Sequence, residues 1–192
     1  MFSNPVSVGY VPIADNIGER IYMLQFDEKL PAWAARWQPT VDAMLKEITL
    51  GGPQFLMVDQ GFVKQGQTLR RPGAHVDGFW QPGIQTHGGG WKNPGRHRHR
   101  GGGHVLFEGR TELLILASDV PACRFYEGEY DGIFGEGGDA SQIQTQHLNS
   151  FIGTPNEAYA GDTGQLLHES IPQERDSFRT VVRLNCYNAS IH

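Results

Sequence analysis

Apolar residues in the first fifty positions follow two rhythms. Up to residue 30 they come in short groups (Val8, Tyr10, Val11, then Ile21, Tyr22, Met23, Leu24 and Phe26), interrupted by Asp15-Asn16 and Gly18. This pattern predicts one or two strands entering a sheet. Pro31–Trp37 and Thr40–Ile48 instead read as helical, because Val41, Met44, Leu45 and Ile48 recur at helical spacing. Pro31 suits a first turn, Thr40 is placed to cap the second piece, Pro39 divides the two, and Gly51-Gly52-Pro53 ends the second. Trp33 and Trp37, four apart, would share one helical face and enter the core.

Beyond residue 54 the pattern is that of strands. Phe55–Val58 and Phe62–Lys64 read as short strands with a turn at Asp59-Gln60-Gly61. His104–Phe107, Thr111–Ala117, Arg124–Tyr126, Gly164–His168 and Arg179–Cys186 read as further strands, with loops at 78–103 and 127–142. One or two N-terminal helices followed by about eight short strands predict an α+β, mainly β, single domain over 1–192. Its core would span about 55–187 and form a β-sandwich or jelly roll.

Composition narrows the function classes. A length of 192 residues fits one domain, and a net charge of -5 argues against a dedicated nucleic-acid binder. Two cysteines, Cys123 and Cys186, cannot build a disulfide framework or a cysteine-rich zinc site, and both read as buried, inert thiols. No signal sequence and no membrane-length apolar run is visible. A soluble cytoplasmic protein is the expectation. Glycine, 25 residues in all, is concentrated between Gly73 and Gly138, which marks long central loops.

The candidate chemistry lies in His75-Val76-Asp77, in the distant His168, and in the run Phe178-Arg179-Thr180-Val181-Val182-Arg183-Leu184. Residues two apart on a strand project from the same face, so His75 and Asp77 can grip one ion while Val76 points away. Two imidazoles and a carboxylate are the donor set of a mononuclear non-haem iron(II) site that keeps positions open. His168 would come from a second strand, and the arginine-bearing strand after it could hold an anionic co-substrate.

The order His-x-Asp, long insert, strands, Gly161-Asp162-Thr163-Gly164-Gln165-Leu166-Leu167-His168, then Arg179-Thr180-Val181-Val182-Arg183-Leu184 resembles the Fe(II)/2-oxoglutarate-dependent dioxygenases with a double-stranded β-helix core. The resemblance covers roughly residues 55–187, and Ser170-Ile171-Pro172 after the distal histidine adds to it. It implies iron held by His75, Asp77 and His168, and 2-oxoglutarate as co-substrate with its distal carboxylate on Arg179. It also implies oxidation, most often hydroxylation, of a substrate C–H bond coupled to decarboxylation of the co-substrate. The family often has Arg-x-Ser, whereas Val181 stands here, and Arg183 shares the strand face with Arg179. Arg183 is therefore the alternative anchor.

Two other readings stand beside this one. A cupin-like metalloprotein would bind metal without 2-oxoglutarate, and a non-catalytic β-sandwich would leave the histidines apart. Arg96-His97-Arg98-His99-Arg100 reads as a solvated loop, as a cationic lid over an anionic substrate, or as a separate metal site, which its own arginine charges disfavour. Trp80, His87 and Trp91 in the same insert are candidates to touch substrate, while His104 and His147 read as structural or surface residues. The expected partner is a small-molecule or peptidyl substrate, with the basic insert leaning toward an anionic one.

Overall fold

A computed structural model describes residues 1–77, 79–82, 102–105, 112–135 and 138–192, with the backbone alone for 79–82 and 102–105. The chain opens with strands β1 (Phe2–Ser3), β2 (Val6–Tyr10) and β3 (Arg20–Phe26), a 3-10 helix over Ala32–Trp37, and helix α1 (Gln38–Leu45). Strands β4 (Ile48–Thr49), β5 (Gln54–Val63), β6 (Phe79–Pro82), β7 (Gly102–Val105), β8 (Glu112–Ser118) and β9 (Cys123–Glu129) follow. Then come β10 (Asn149–Ile152), β11 (Glu157–Asp162), β12 (His168–Ser170), β13 (Ser177–Tyr187) and β14 (Ser190–Ile191). The protein is mainly β, with antiparallel pairing throughout.

The large sheet has the order β2-β11-β8-β13-β5-β3. Its central strand, β13, is buried along most of its length and alternates between two environments. Val182, Leu184 and Cys186 join Leu56, Val58 and Ile115 against Trp37, Val41 and Met44, so the helical segment covers that face. Arg179, Val181 and Arg183 point the other way, into a cleft. Across that cleft lies the smaller sheet, in which β9 pairs with β1, β10 and β12. Phe125 and Phe151 from the small sheet pack with Leu114, Leu116 and Tyr159 from the large one, which gives the two sheets a sandwich arrangement with a shared apolar core.

Several expectations need correction. Phe55–Val58 and Phe62–Lys64 are not separate strands, because β5 runs unbroken through Asp59, Gln60 and Gly61, paired with Val181, Thr180 and Arg179. The polar side chains that suggest a turn find tertiary partners instead. Asp59 lies 3.2 Å from Arg20 Nε and 3.4 Å from Arg70. Gln60 Oε1 accepts from the amides of Ile17 and Glu19 at 3.0 and 3.1 Å.

The two helical pieces meet at Trp37/Gln38 rather than at Pro39. Pro39 sits in the first turn of α1, where a missing N–H leaves no bond unmade. Thr40 is not a cap, since its hydroxyl donates to Pro12 O, and Ile48 belongs to β4 rather than to the helix. Trp37 is fully buried but Trp33 is 62% exposed. Their segment is a 3-10 helix with three residues per turn, so positions four apart fall on different faces. Strand β9 extends to Glu129, into the expected loop, and β10 and β11 carry no strand signal in the sequence. The predicted distal strand Gly164–His168 begins only at His168, with a turn before it.

The segment bearing His75 and Asp77 is pinned from both sides. His75 exchanges backbone bonds with His168, and Val76 N donates to Gly138 O at 3.0 Å. Gly138 has φ +79, and a Cβ there would stand 2.0 Å from Val76 O. Gly138→Ala is therefore expected to cost about 2 kcal/mol or more, from a left-handed backbone plus a clash with main chain. Thermal melts with a parallel metal titration check this, and both should worsen together.

Candidate metal centre and its pocket

His75 and His168 face each other on neighbouring extended segments. His75 N donates to His168 O at 2.9 Å and His168 N to His75 O at 3.0 Å, which sets the rings 4.5 Å apart. Asp77 follows on the same face, and Val76 points into a separate apolar cluster with Tyr130 and Leu167, as strand alternation requires. His75 Nε2 lies 4.0 Å from Asp77 Oδ1, and His168 Nε2 lies 3.8 Å from Asp77 Oδ2. One ligand atom from each residue falls within 4.8 Å of the others, so this buried group could hold a metal ion.

The surroundings fix how each ring can act. His75 Nδ1 donates to Gly73 O at 2.7 Å, and His168 Nδ1 donates to Leu166 O at 3.0 Å. A carbonyl can only accept, so each Nδ1 carries the proton and each Nε2 presents a lone pair. Two lone pairs and a carboxylate then converge on one space, an arrangement that a cation relieves. Burial, with His168 alongside, lowers the His75 imidazole to about 3. Burial also lowers His168, against the opposing pull of Asp77. Both rings are thus neutral and ready to ligate at ordinary pH.

That depression has a consequence for stability. In the unfolded chain His75 titrates near ~6.5, so below that pH the unfolded state binds the extra proton. Stability should therefore decline as pH falls from about 6.5 toward 3 and show no contribution from His75 above neutrality. Thermal melts across pH, without metal, should show a shallower acid decline in His75→Asn than in the wild type. Equal slopes would contradict the assigned shift.

Arg183 and Arg179 play different parts. Arg183 donates from NH1 to Asp77 Oδ2 at 2.6 Å and from Nε to Asn185 Oδ1 at 2.8 Å. Asn185 in turn donates to Glu112, so a buried polar chain runs from the bottom of β8 to the candidate ligand. Arg179 donates to Ser170 Oγ at 2.9 Å and to Ala122 O at 3.0 Å. Its Nε is buried with no hydrogen-bond partner, and no carboxylate lies within ion-pair distance of it among the described residues. Burial lowers its guanidinium to about 10.

All five of these candidate residues line one cleft of about 600 Å³, open mouth included. The reading in which the histidines stay apart is not the arrangement found. Trp80 lies in β6, with only its backbone described, while His87, Trp91 and the run Arg96–Arg100 lie outside the described residues. His147 is exposed and bonds Glu129 O, as a surface residue would. Cys186 is buried; Cys123 is only half-buried and forms part of the cleft wall, and burial raises both thiols to about 12.

Sequence reasoning missed Asn185 and Glu112. A signal was present: both are polar residues inside otherwise apolar strands, Leu184-Asn185-Cys186 and Glu112-Leu113-Leu114, where burial demands a partner. Ser170 was also legible in principle, as it lies two residues past His168 on the same strand face.

No family model, curated protein or solved structure matches this chain. No helix among the described residues is long and apolar enough to cross a membrane.

Proposed function

We propose that the protein is an Fe(II)/2-oxoglutarate-dependent oxygenase built on a double-stranded β-helix. Strand order supports the fold reading. Going along the chain, β5 lies in the large sheet, His75 beside the small one, β8 in the large, β9 and β10 in the small, β11 in the large, β12 in the small and β13 in the large. Such alternation between two facing sheets supports the jelly-roll reading.

The observation that carries the functional reading is Arg179. A cation that is 2% exposed, has no carboxylate within ion-pair distance among the described residues and lines the same cleft as the His-Asp-His group is suited to bind an anion. Its guanidinium reaches Ser170, which stands two residues beyond His168, about 7 Å along the strand. That separation suits a short dicarboxylate held by one end at Arg179 and by the other beside the candidate ligands. His75, Asp77 and His168 would hold the iron, which supplies oxygen activation when bound. Arg179 orients the co-substrate, and the apolar walls formed by Leu116, Phe125 and Val181 exclude water from the reacting end.

Under this reading Arg183, engaged with Asp77, is not the anchor. The substrate is a small molecule or peptidyl group entering at the cleft mouth, with the basic insert favouring an anionic one.

The test is succinate formation from 2-oxoglutarate by purified protein with Fe(II) and air. Turnover that requires iron and is lost in Arg179→Met supports the proposal. Iron binding without any 2-oxoglutarate binding would replace it with the cupin-like alternative.

A further inference from the structure

The bond between Arg183 and Asp77 is the least expected feature of the candidate centre. Asp77 is the one anionic member of the ligand group, and Arg183 places a positive charge 2.6 Å from its Oδ2. Arg183 is itself fixed by Asn185 and by Met23 Sδ at 3.7 Å, and is only 3% exposed. Met23 reaches it from a left-handed backbone position, φ 45, at an irregularity in β3. The pair is therefore held in place, and the ligand set it presents to an incoming ion is close to electrically neutral.

We propose that Arg183 is a charge gate: it offsets Asp77 so that a divalent cation alone is held weakly, and firm retention requires an anionic co-ligand. The gate rests on the functional reading above for the identity of that co-ligand, 2-oxoglutarate, but not for its electrostatics. An incoming divalent cation meets Asp77 already offset by Arg183, and Arg71, which acts on both imidazoles, and Arg70, in the cleft wall, add positive charge nearby. Arg179 adds a second buried cation in the same cleft. A dicarboxylate brings the missing negative charge, and its binding and that of the metal must then strengthen each other by the same factor. Arg183 donates to Asp77 Oδ2, so one oxygen of the only carboxylate in the ligand group is already engaged by a cation when a metal approaches.

The gate and an ordinary supporting role for Arg183 predict opposite signs. An outer-shell residue that merely orients a ligand loses metal affinity when removed, commonly about 10–100-fold. Removing a charge gate raises affinity for the lone metal.

The experiment is a Mn(II) titration of the purified full chain, followed by calorimetry, with and without saturating 2-oxoglutarate, and with oxalate as a second anion. In the wild type the anion should tighten Mn(II) by about tenfold or more, in the range of coupled sites. Arg183→Met should bind Mn(II) alone more tightly than the wild type and show a reduced coupling factor, whereas Arg183→Lys should keep both wild-type features. Arg183→Gln, which retains amide donors without charge, should behave as Arg183→Met does and serves where that variant does not fold. Weaker Mn(II) binding in the neutral variants, or an unchanged coupling factor, overturns the gate. So does a wild type whose Mn(II) affinity ignores both anions. Coupling to oxalate but not to 2-oxoglutarate leaves the gate standing and removes the 2-oxoglutarate reading.

Discussion

Arg179→Met is expected to leave the protein as stable as the wild type, or more so, while weakening 2-oxoglutarate binding by thirtyfold or more. The two effects have one cause. Arg179 is a buried cation with no carboxylate within ion-pair distance among the described residues, held by a hydroxyl and a carbonyl. Burial acts against its charge strongly enough to lower it to about 10. Replacing such a group with an apolar side chain of similar length is often neutral or stabilising. Little is orphaned by the change, because Ala122 O also accepts from Ile171 N at 3.0 Å. The co-substrate, in contrast, would lose its charged partner in a dry pocket, a loss of about 2–5 kcal/mol. Thermal melts of the apo protein and 2-oxoglutarate titrations in the presence of Mn(II) measure the two halves independently. A large drop in stability with unchanged 2-oxoglutarate affinity would make Arg179 a structural residue.

His168→Ala is expected to abolish metal-dependent stabilisation. In the wild type, metal at ~1,000 times its dissociation constant should stabilise the fold by about 4 kcal/mol. Loss of one of three ligands should erase most of that shift. The apo fold should survive, because the bonds that align β12 with His75 run through backbone atoms and do not depend on the imidazole. The check is the change in melting temperature on adding Mn(II) or anaerobic Fe(II). An equal shift in variant and wild type would place the ion elsewhere.

The parts of this molecule that were legible in its sequence are those governed by strand period. His75 and Asp77 lie on one face with Val76 opposite because side chains alternate along an extended chain, and nothing tertiary is needed to foresee it. The same parity places Arg179, Val181 and Arg183 together on one face of β13. Parity cannot separate the two arginines. Only the folded position of Asp77 assigns Arg183, and not Arg179, to the candidate ligand, and that contact joins segments far apart in the chain.

Other features were hidden for different reasons. The unbroken run of β5 through Asp59-Gln60-Gly61 depends on Arg20, Arg70 and the amides of Ile17 and Glu19, none of them local. Strand β11, Glu-Ala-Tyr-Ala-Gly-Asp, has almost no β-forming residues and owes its conformation to its place between β2 and β8. Trp33 misled because helical spacing says nothing about whether the turn closes over three residues or nearly four.

The most direct test of the central claim is anomalous diffraction from crystals of the full chain soaked with Mn(II) and 2-oxoglutarate. The account predicts one ion among His75 Nε2, His168 Nε2 and Asp77 Oδ1, with the distal carboxylate of 2-oxoglutarate paired to Arg179 and Arg183 still bonded to Asp77 Oδ2. An ion bound away from His168, or a carboxylate seated on Arg183 with Arg179 unengaged, would contradict it.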